Sequence, residues 1–125
     1  MFHVKPVIDD SVEKFLREEN AAHAYTPGVD VALFEEERII GAAHVAFGTD
    51  AAVLEGVYVT PSKRGFGLGD FLTRATMDAY TRHLPLFKVA YKSDYFLKFG
   101  FKASEDGLTI NSEEIVFPSQ CGGHK

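Results

Sequence analysis

Apolar and polar positions alternate with a period of two over several short stretches of the chain and with a period near 3.6 over others, which divides it into strands and helices. Residues 2–7 read as a first strand. Asp9, Asp10 or Ser11 can cap a helix whose buried stripe is Val12, Phe15 and Leu16, with Glu13 and Arg17 paired on its wet side. That helix is expected to fade by Ala24. Residues 29–34 and 38–47 are β-prone, and Glu35-Glu36-Glu37 between them predicts an exposed hairpin connection. After a second turn at Gly48-Thr49-Asp50, residues 53–60 complete a three-strand antiparallel meander.

A longer helical pattern covers residues 71–83, with Leu68, Leu72, Ala75 and Ala79 on one face. Asp70, Arg74, Asp78 and Arg82 lie four apart, which predicts a solvated stripe of alternating charge. Residues 86–90 read as another strand. Ser93 can cap a short helix that Gly100 ends before Phe101. Asp106-Gly107 predicts a final hairpin that pairs residues 101–103 with 108–110 or with 115–117. The sum is one domain over residues 1–118, a mixed sheet with few helices, followed by a tail at 119–125.

Composition narrows the classes of function. At 125 residues with 46% hydrophobic content, the chain can bury one core without metal or disulfide staples. Its one cysteine, Cys121, excludes an internal disulfide, and no apolar run is long enough for a signal peptide or membrane span, so a cytoplasmic protein is expected. A formal net charge of −5 argues against a nucleic-acid partner. Cys121 and His124 have ligand-like spacing but no clustered companions, so no metal site is assigned. His44 shares a strand face with Ile40, Ala42 and Ala46, the setting of a hydrogen-bonded histidine in a core or pocket wall. Lys88, Lys92, Lys98 and Lys102 are assigned to the surface. Strand edges near residues 115–117 leave room for a homodimer.

The most informative stretch is Arg64-Gly65-Phe66-Gly67-Leu68-Gly69, placed between a strand pattern and a helix pattern. A glycine turn feeding a helix start presents unpaired N–H groups to one point, and the helix dipole adds partial positive charge there. Gly67 and Gly69 carry no Cβ to hold a ligand off the backbone, and Arg64 offers a fork of donors suited to phosphate oxygens. A diphosphate is the natural guest. The absence of Gly-Lys-Ser/Thr removes the P-loop reading, and the glycine spacing is not that of a dinucleotide fingerprint.

The element order, together with the run Val57-Tyr58-Val59-Thr60-Pro61-Ser62-Lys63-Arg64-Gly65-Phe66-Gly67-Leu68-Gly69, resembles the GNAT family of acyl-CoA-dependent N-acyltransferases. The run is similar to that family's fourth strand leading into its R-x-x-G-x-G/A pyrophosphate loop. Tyr95-Phe96-Leu97-Lys98-Phe99-Gly100-Phe101 is similar to the family's F-Y-x-x-x-G-F ending. The resemblance implies a GNAT-like single domain whose mostly antiparallel sheet splays after the fourth strand, flanked by about three helices. It implies acetyl-CoA as co-substrate, with its diphosphate held by Arg64 and the N–H groups of Gly65, Phe66, Gly67, Leu68 and Gly69. Val57 and Val59 would offer main-chain groups to the pantetheine arm.

Acyl transfer from a thioester to an amine needs a base, donors for the developing oxyanion and a proton for the departing thiolate. Strict alternation puts Glu55 in an apolar row with Val53, Val57 and Val59, and burial in such a row makes a carboxylate a stronger base. For the thiolate the family supplies the tyrosine of its F-Y pattern, where this chain has Phe96. Tyr95 stands about 100° away on an α-helix, so it can substitute only in a rotated or irregular helix. Tyr91 or water are the other sources, and Phe96 would pack on the coenzyme arm or in the core. The expected function is an N-acetyltransferase acting by direct attack of a primary amine, from a small molecule or a peptide, in a ternary complex. A catalytically weak acetyl-CoA-binding regulator of a protein partner is the alternative. A single helix before residue 29 implies an open acceptor groove, and the acidic balance favours a cationic acceptor.

Overall fold

The computed structural model describes residues 1–82, 84–91, 93–104 and 107–116. Its strands are β1 (Phe2–Val7), β2 (Gly28–Glu35), β3 (Arg38–Phe47), β4 (Ala51–Val59), β5 (Leu86–Val89), β6 (Lys102–Ser104) and β7 (Gly107–Asn111). They form one sheet in the order β1-β2-β3-β4-β5-β7-β6. Every neighbouring pair is antiparallel except β4 and β5, which run parallel. A parallel pair needs a crossover, and α2 (Leu68–Tyr80) supplies it. The mixed, mostly antiparallel sheet is the expected one, and of the two expected partners β6 takes β7.

Two apolar faces follow from the alternation. Val12, Phe15 and Leu16 of α1 (Ser11–Glu18) pack on Ala32 and Ala42, which point to one side of the sheet. Leu68, Leu72 and Met77 of α2 pack with Leu33, Val45, Leu54 and Phe87 on the other. Phe87 and Phe99 are sealed from solvent, so truncating either to alanine costs about 3–5 kcal/mol.

The helix ends differ from the periodic reading, for local reasons. α1 stops at Glu18 because Asn20 takes a left-handed φ of 58°, and the Ala21 N–H closes on the Leu16 carbonyl at 2.8 Å, a Schellman ending. α2 begins at Leu68, three residues before the apolar pattern strengthens, because Gly67 in the left-handed region (φ 79°) serves as its N-cap. The segment after Ser93 is a 3-10 helix, Asp94–Phe99, capped by the Ser93 hydroxyl and ended by Gly100 at φ 100°. The charge stripe on α2 is not uniformly solvated: Asp78 and Arg82 are exposed, whereas Asp70 and Arg74 pair at 2.8 Å while partly buried. Among the described residues no helix is long and apolar enough to cross a membrane.

Candidate functional site

The sheet comes apart at one place, and the site is built there. β4 pairs with β5 from Ala51 to Leu54, and the last rung is the Ala90 N–H on the Leu54 carbonyl at 2.9 Å. Beyond it, residues 55–59 keep β3 on one side and have no described strand on the other. The Val59 carbonyl faces this open edge, since it accepts the Arg64 Nε–H at 2.8 Å. Alternation turns the main-chain groups of Val57 the same way.

The glycine turn closes the far end of that edge. Gly65 and Gly67 adopt φ of 89° and 79°, and a Cβ on either would meet open space. Side chains there are therefore excluded by backbone strain and not by crowding. The turn aims the first N–H groups of α2, which have no intrahelical acceptor, into a cavity of about 320 Å³ lined by Val57, Val59, Arg64, Gly67, Leu68 and Gly69. Arg64 lines it with its guanidinium fixed between the Val59 carbonyl and the Tyr58 ring, 5.2 Å from the ring centre. Phe66 is 75% exposed, and Leu68 is buried beneath the turn. Helix-start N–H groups with Arg64 at the rim are an arrangement that can take an anion.

A second cavity, about 300 Å³, shares Val57 and Gly69 with the first and continues toward the fork between β4 and β5. Asp70, Tyr91, Tyr95 and Phe96 also line it. The irregular helix makes this arrangement: with a 3-10 rather than an α-helical turn, both Tyr95 and Phe96 reach the same cavity. Phe96 is 2% exposed, wedged edge-on among Tyr91, Tyr95 and Phe101, so it forms the floor. The Tyr95 hydroxyl donates to the Asp70 carboxylate, which also receives Arg74 Nε at 2.8 Å and lies 3.7 Å from Lys98 Nζ. Burial and that carboxylate push the Tyr95 phenol well above its ordinary range. Burial alone would raise the Asp70 carboxyl, but the hydrogen bonds from Tyr95 and Arg74 outweigh it and hold it below the usual carboxylate range. Lys98 thus sits on this cluster and over the Tyr95 ring at 4.3 Å, not on an isolated stretch of surface.

Glu55 corrects the alternation argument. The β3–β4 register shifts between His44 and Val45, opposite Gly56 and Leu54, so Glu55 is the extra residue of a β-bulge. Glu55 stays on the side of Val53, the face of His44 and Thr26, while Val57 and Val59 beyond the bulge move to the opposite face, so the apolar row breaks at Glu55. There its carboxylate accepts the Thr26 N–H at 3.1 Å and the Thr26 hydroxyl, with His44 Nε2 3.7 Å away. His44 is a hydrogen-bonded wall residue: Nδ1 meets Asp30 at 2.7 Å and Nε2 meets the Thr26 carbonyl at 2.6 Å. Tyr25 stacks on His44 at 4.7 Å and lays its hydroxyl against Gly56. Burial, then Glu55 and Asp30, push the Tyr25 phenol up. A cavity of about 410 Å³ between α1 and this loop, lined by Glu13, Arg17, His23, Tyr25, Asp30 and His44, opens beside the cluster.

The pattern of the sequence assigns no role to Tyr25, Thr26 or Asp30. The available signal was Gly56, a glycine inside a strand pattern, which marks a bulge or a close approach and is here both. Cys121, His124, Phe117 and Lys92 lie outside the described residues. Among the described residues no cluster of three or more metal-ligating side chains occurs.

Residues 3–101 match the family model described as the Acetyltransferase (GNAT) family. Among solved structures, the chain is similar to the ribosomal-protein-S18-alanine N-acetyltransferase of Escherichia coli, with a TM-score of 0.71 and 15% identity over 96% of this chain and 97% of that one. It is similar to a GNAT family acetyltransferase of Brucella melitensis in complex with acetyl-CoA, with a TM-score of 0.61 and 18% identity over 82% and 84% of the two chains. It is also similar to Arabidopsis thaliana Naa50 in complex with the bisubstrate analogue CoA-Ac-MVNAL, with a TM-score of 0.65 and 12% identity over 83% and 85%. Among curated protein sequences no relative matches the chain.

Proposed function

Because the chain belongs to the acetyltransferase (GNAT) family, we propose that it moves an acetyl group from acetyl-CoA to a primary amine by direct attack in a ternary complex. The observation that carries this reading is the left-handed pair Gly65 and Gly67 at the start of a 13-residue helix, beside the unpaired edge of β4. The donor set fits the coenzyme. Gly67, Leu68 and Gly69 would turn N–H groups to its diphosphate, Arg64 would meet the same charge from the rim, and Val57 would pair with the amides of its arm. The acetyl-CoA bound in the Brucella structure supports this fit.

The acceptor would approach from the other side of β4, through the cavity beside Tyr25 and His44. Glu55 stands where that side meets the fork and would take the proton of the attacking amine; general-base catalysis of this kind contributes about 10²–10⁴-fold. Its two bonds from Thr26 fix the carboxylate in place, while each oxygen retains a lone pair for the amine. Most of the acceleration would come from holding amine and thioester together. Only α1 stands between β1 and β2, so the groove is open enough for a small cationic amine or the end of a peptide.

Release of free thiol from acetyl-CoA, measured across a panel of polyamines, amino acids and short peptides, tests the reading: at least one amine accelerates release. Phe96 in the position where the family carries tyrosine favours a second reading, a weakly catalytic acetyl-CoA-binding regulator. It gains if the coenzyme binds while no amine accelerates thiol release.

A further inference from the structure

Two tyrosines line the cavity that runs to the fork, and their hydroxyls are differently engaged. Tyr95 has its proton committed: its O–H donates to Asp70, and Asp70 is itself held by Arg74. A phenol that gives its hydrogen to a carboxylate cannot give it at the same time to sulfur. Tyr91 bonds through its hydroxyl to no described residue, although its ring is fixed edge-on against Phe96 with centroids 5.9 Å apart. It is also placed differently, as the second residue after β5 and directly past the Ala90–Leu54 rung where the two strands part. Four residue-to-residue steps of strand separate Val59, beside the glycine turn, from Glu55 at the fork, a run of about 13 Å. A thiol-bearing arm laid along that edge with its diphosphate in the turn brings its sulfur toward Tyr91.

Resting on the acetyl-transfer reading above, we propose that Tyr91, and not Tyr95, is the catalytic residue that donates a hydrogen bond to the departing sulfur. The amine nitrogen bonds to the thioester carbon and the C–S bond breaks, its electron pair passing to sulfur, where the Tyr91 O–H meets the new charge. The amine proton leaves through Glu55 to water, and water returns one proton to the sulfur. Burial, with nearby Tyr25 adding to it, pushes the Tyr91 phenol up to about 12, so the donor keeps its hydrogen throughout the neutral range. Tyr95 and Asp70 become positioning residues that brace the cavity wall.

The test is the ionisation of the thiol of bound coenzyme A, which needs no acceptor. Coenzyme A and its dethio analogue are titrated calorimetrically into the full chain from pH 6 to 10, for wild type, Tyr91→Phe and Tyr95→Phe. A donor facing the sulfur favours thiolate. Tyr91→Phe is therefore expected to raise the pKa of the bound thiol by about one unit, a tenfold change, leaving dethio binding unaltered. Tyr95→Phe is expected to stay within a few tenths of a unit of wild type. A shift in Tyr91→Phe no larger than in Tyr95→Phe overturns the assignment. If Tyr91→Phe does not fold, Tyr91→Leu takes its place. Failure of wild type to bind even the dethio analogue overturns the coenzyme reading itself, which separates the two failures.

Discussion

Glu55 and Thr26 are joined twice, the carboxylate of one receiving both the amide and the hydroxyl of the other. This couples the loop before β2 to the bulge on β4 and sets the proposed base where an acceptor would enter. Glu55→Gln keeps the shape and one acceptor oxygen, so the protein is expected to fold while thiol release with the active amine falls about 100-fold or more. The KM for acetyl-CoA is expected to hold, since Glu55 lies past the coenzyme's edge. Thr26→Val removes one of the two bonds and is expected to cost less than tenfold. Steady-state kinetics on the three proteins checks the order.

Gly56 is fixed by Tyr25. A Cβ at residue 56 would lie 2.2 Å from the Tyr25 hydroxyl oxygen and 2.9 Å from Cζ, so the ring must leave its stack on His44. Gly56→Ala is expected to destabilise by about 1–3 kcal/mol in urea unfolding. Adding Tyr25→Ala to it is expected to recover part of that loss, the coupling of two residues in contact. Additive losses would show that the clash relaxes elsewhere.

Much of this site was legible before any coordinates. The residue ranges of β1 and β3 follow from alternation alone, and the glycine turn announced its place between a strand and a helix. Alternation failed at Glu55 because a bulge adds one residue, and every side chain beyond it changes face; only Gly56 hinted at this. Tyr25 and Thr26 stayed hidden because their partners, His44, Glu55 and Gly56, are 18 to 31 positions away on other strands. The pairing of Tyr95 with Asp70 depends on a 3-10 rather than an α-helical turn, a choice that six residues do not encode by period.

The glycine turn makes a prediction about backbone alone. With nothing within 4 Å of a Cβ at Gly67, the cost of a side chain there is left-handed strain, about 1–2 kcal/mol for alanine. Asparagine visits that region more readily, so thermal melting is expected to rank Gly67 above Gly67→Asn and Gly67→Asn above Gly67→Ala. Equal melting of the two variants would mean that the turn has changed its path.

Asp70 and Tyr95 set opposite limits on pH stability. The folded Asp70 carboxyl is held below its ordinary value, so its contribution is complete above about pH 4 and is lost as pH falls through the lower, folded value. Asp70→Asn is expected to melt earlier than wild type at pH 6 and to approach it in acid. Tyr95 is raised, so its contribution is complete below about pH 10 and is lost as pH climbs through the folded value. Tyr95→Phe is expected to flatten the alkaline decline. Melting temperatures from acid to strongly alkaline pH check both signs.

Calorimetric titration of coenzyme A into the folded chain, beside a Gly67→Val variant that remains folded, bears most directly on the proposed coenzyme site. A saturable heat in the wild type, strongly weakened in the variant, is the expected result. No heat from the folded wild type, or equal binding by both proteins, would contradict it.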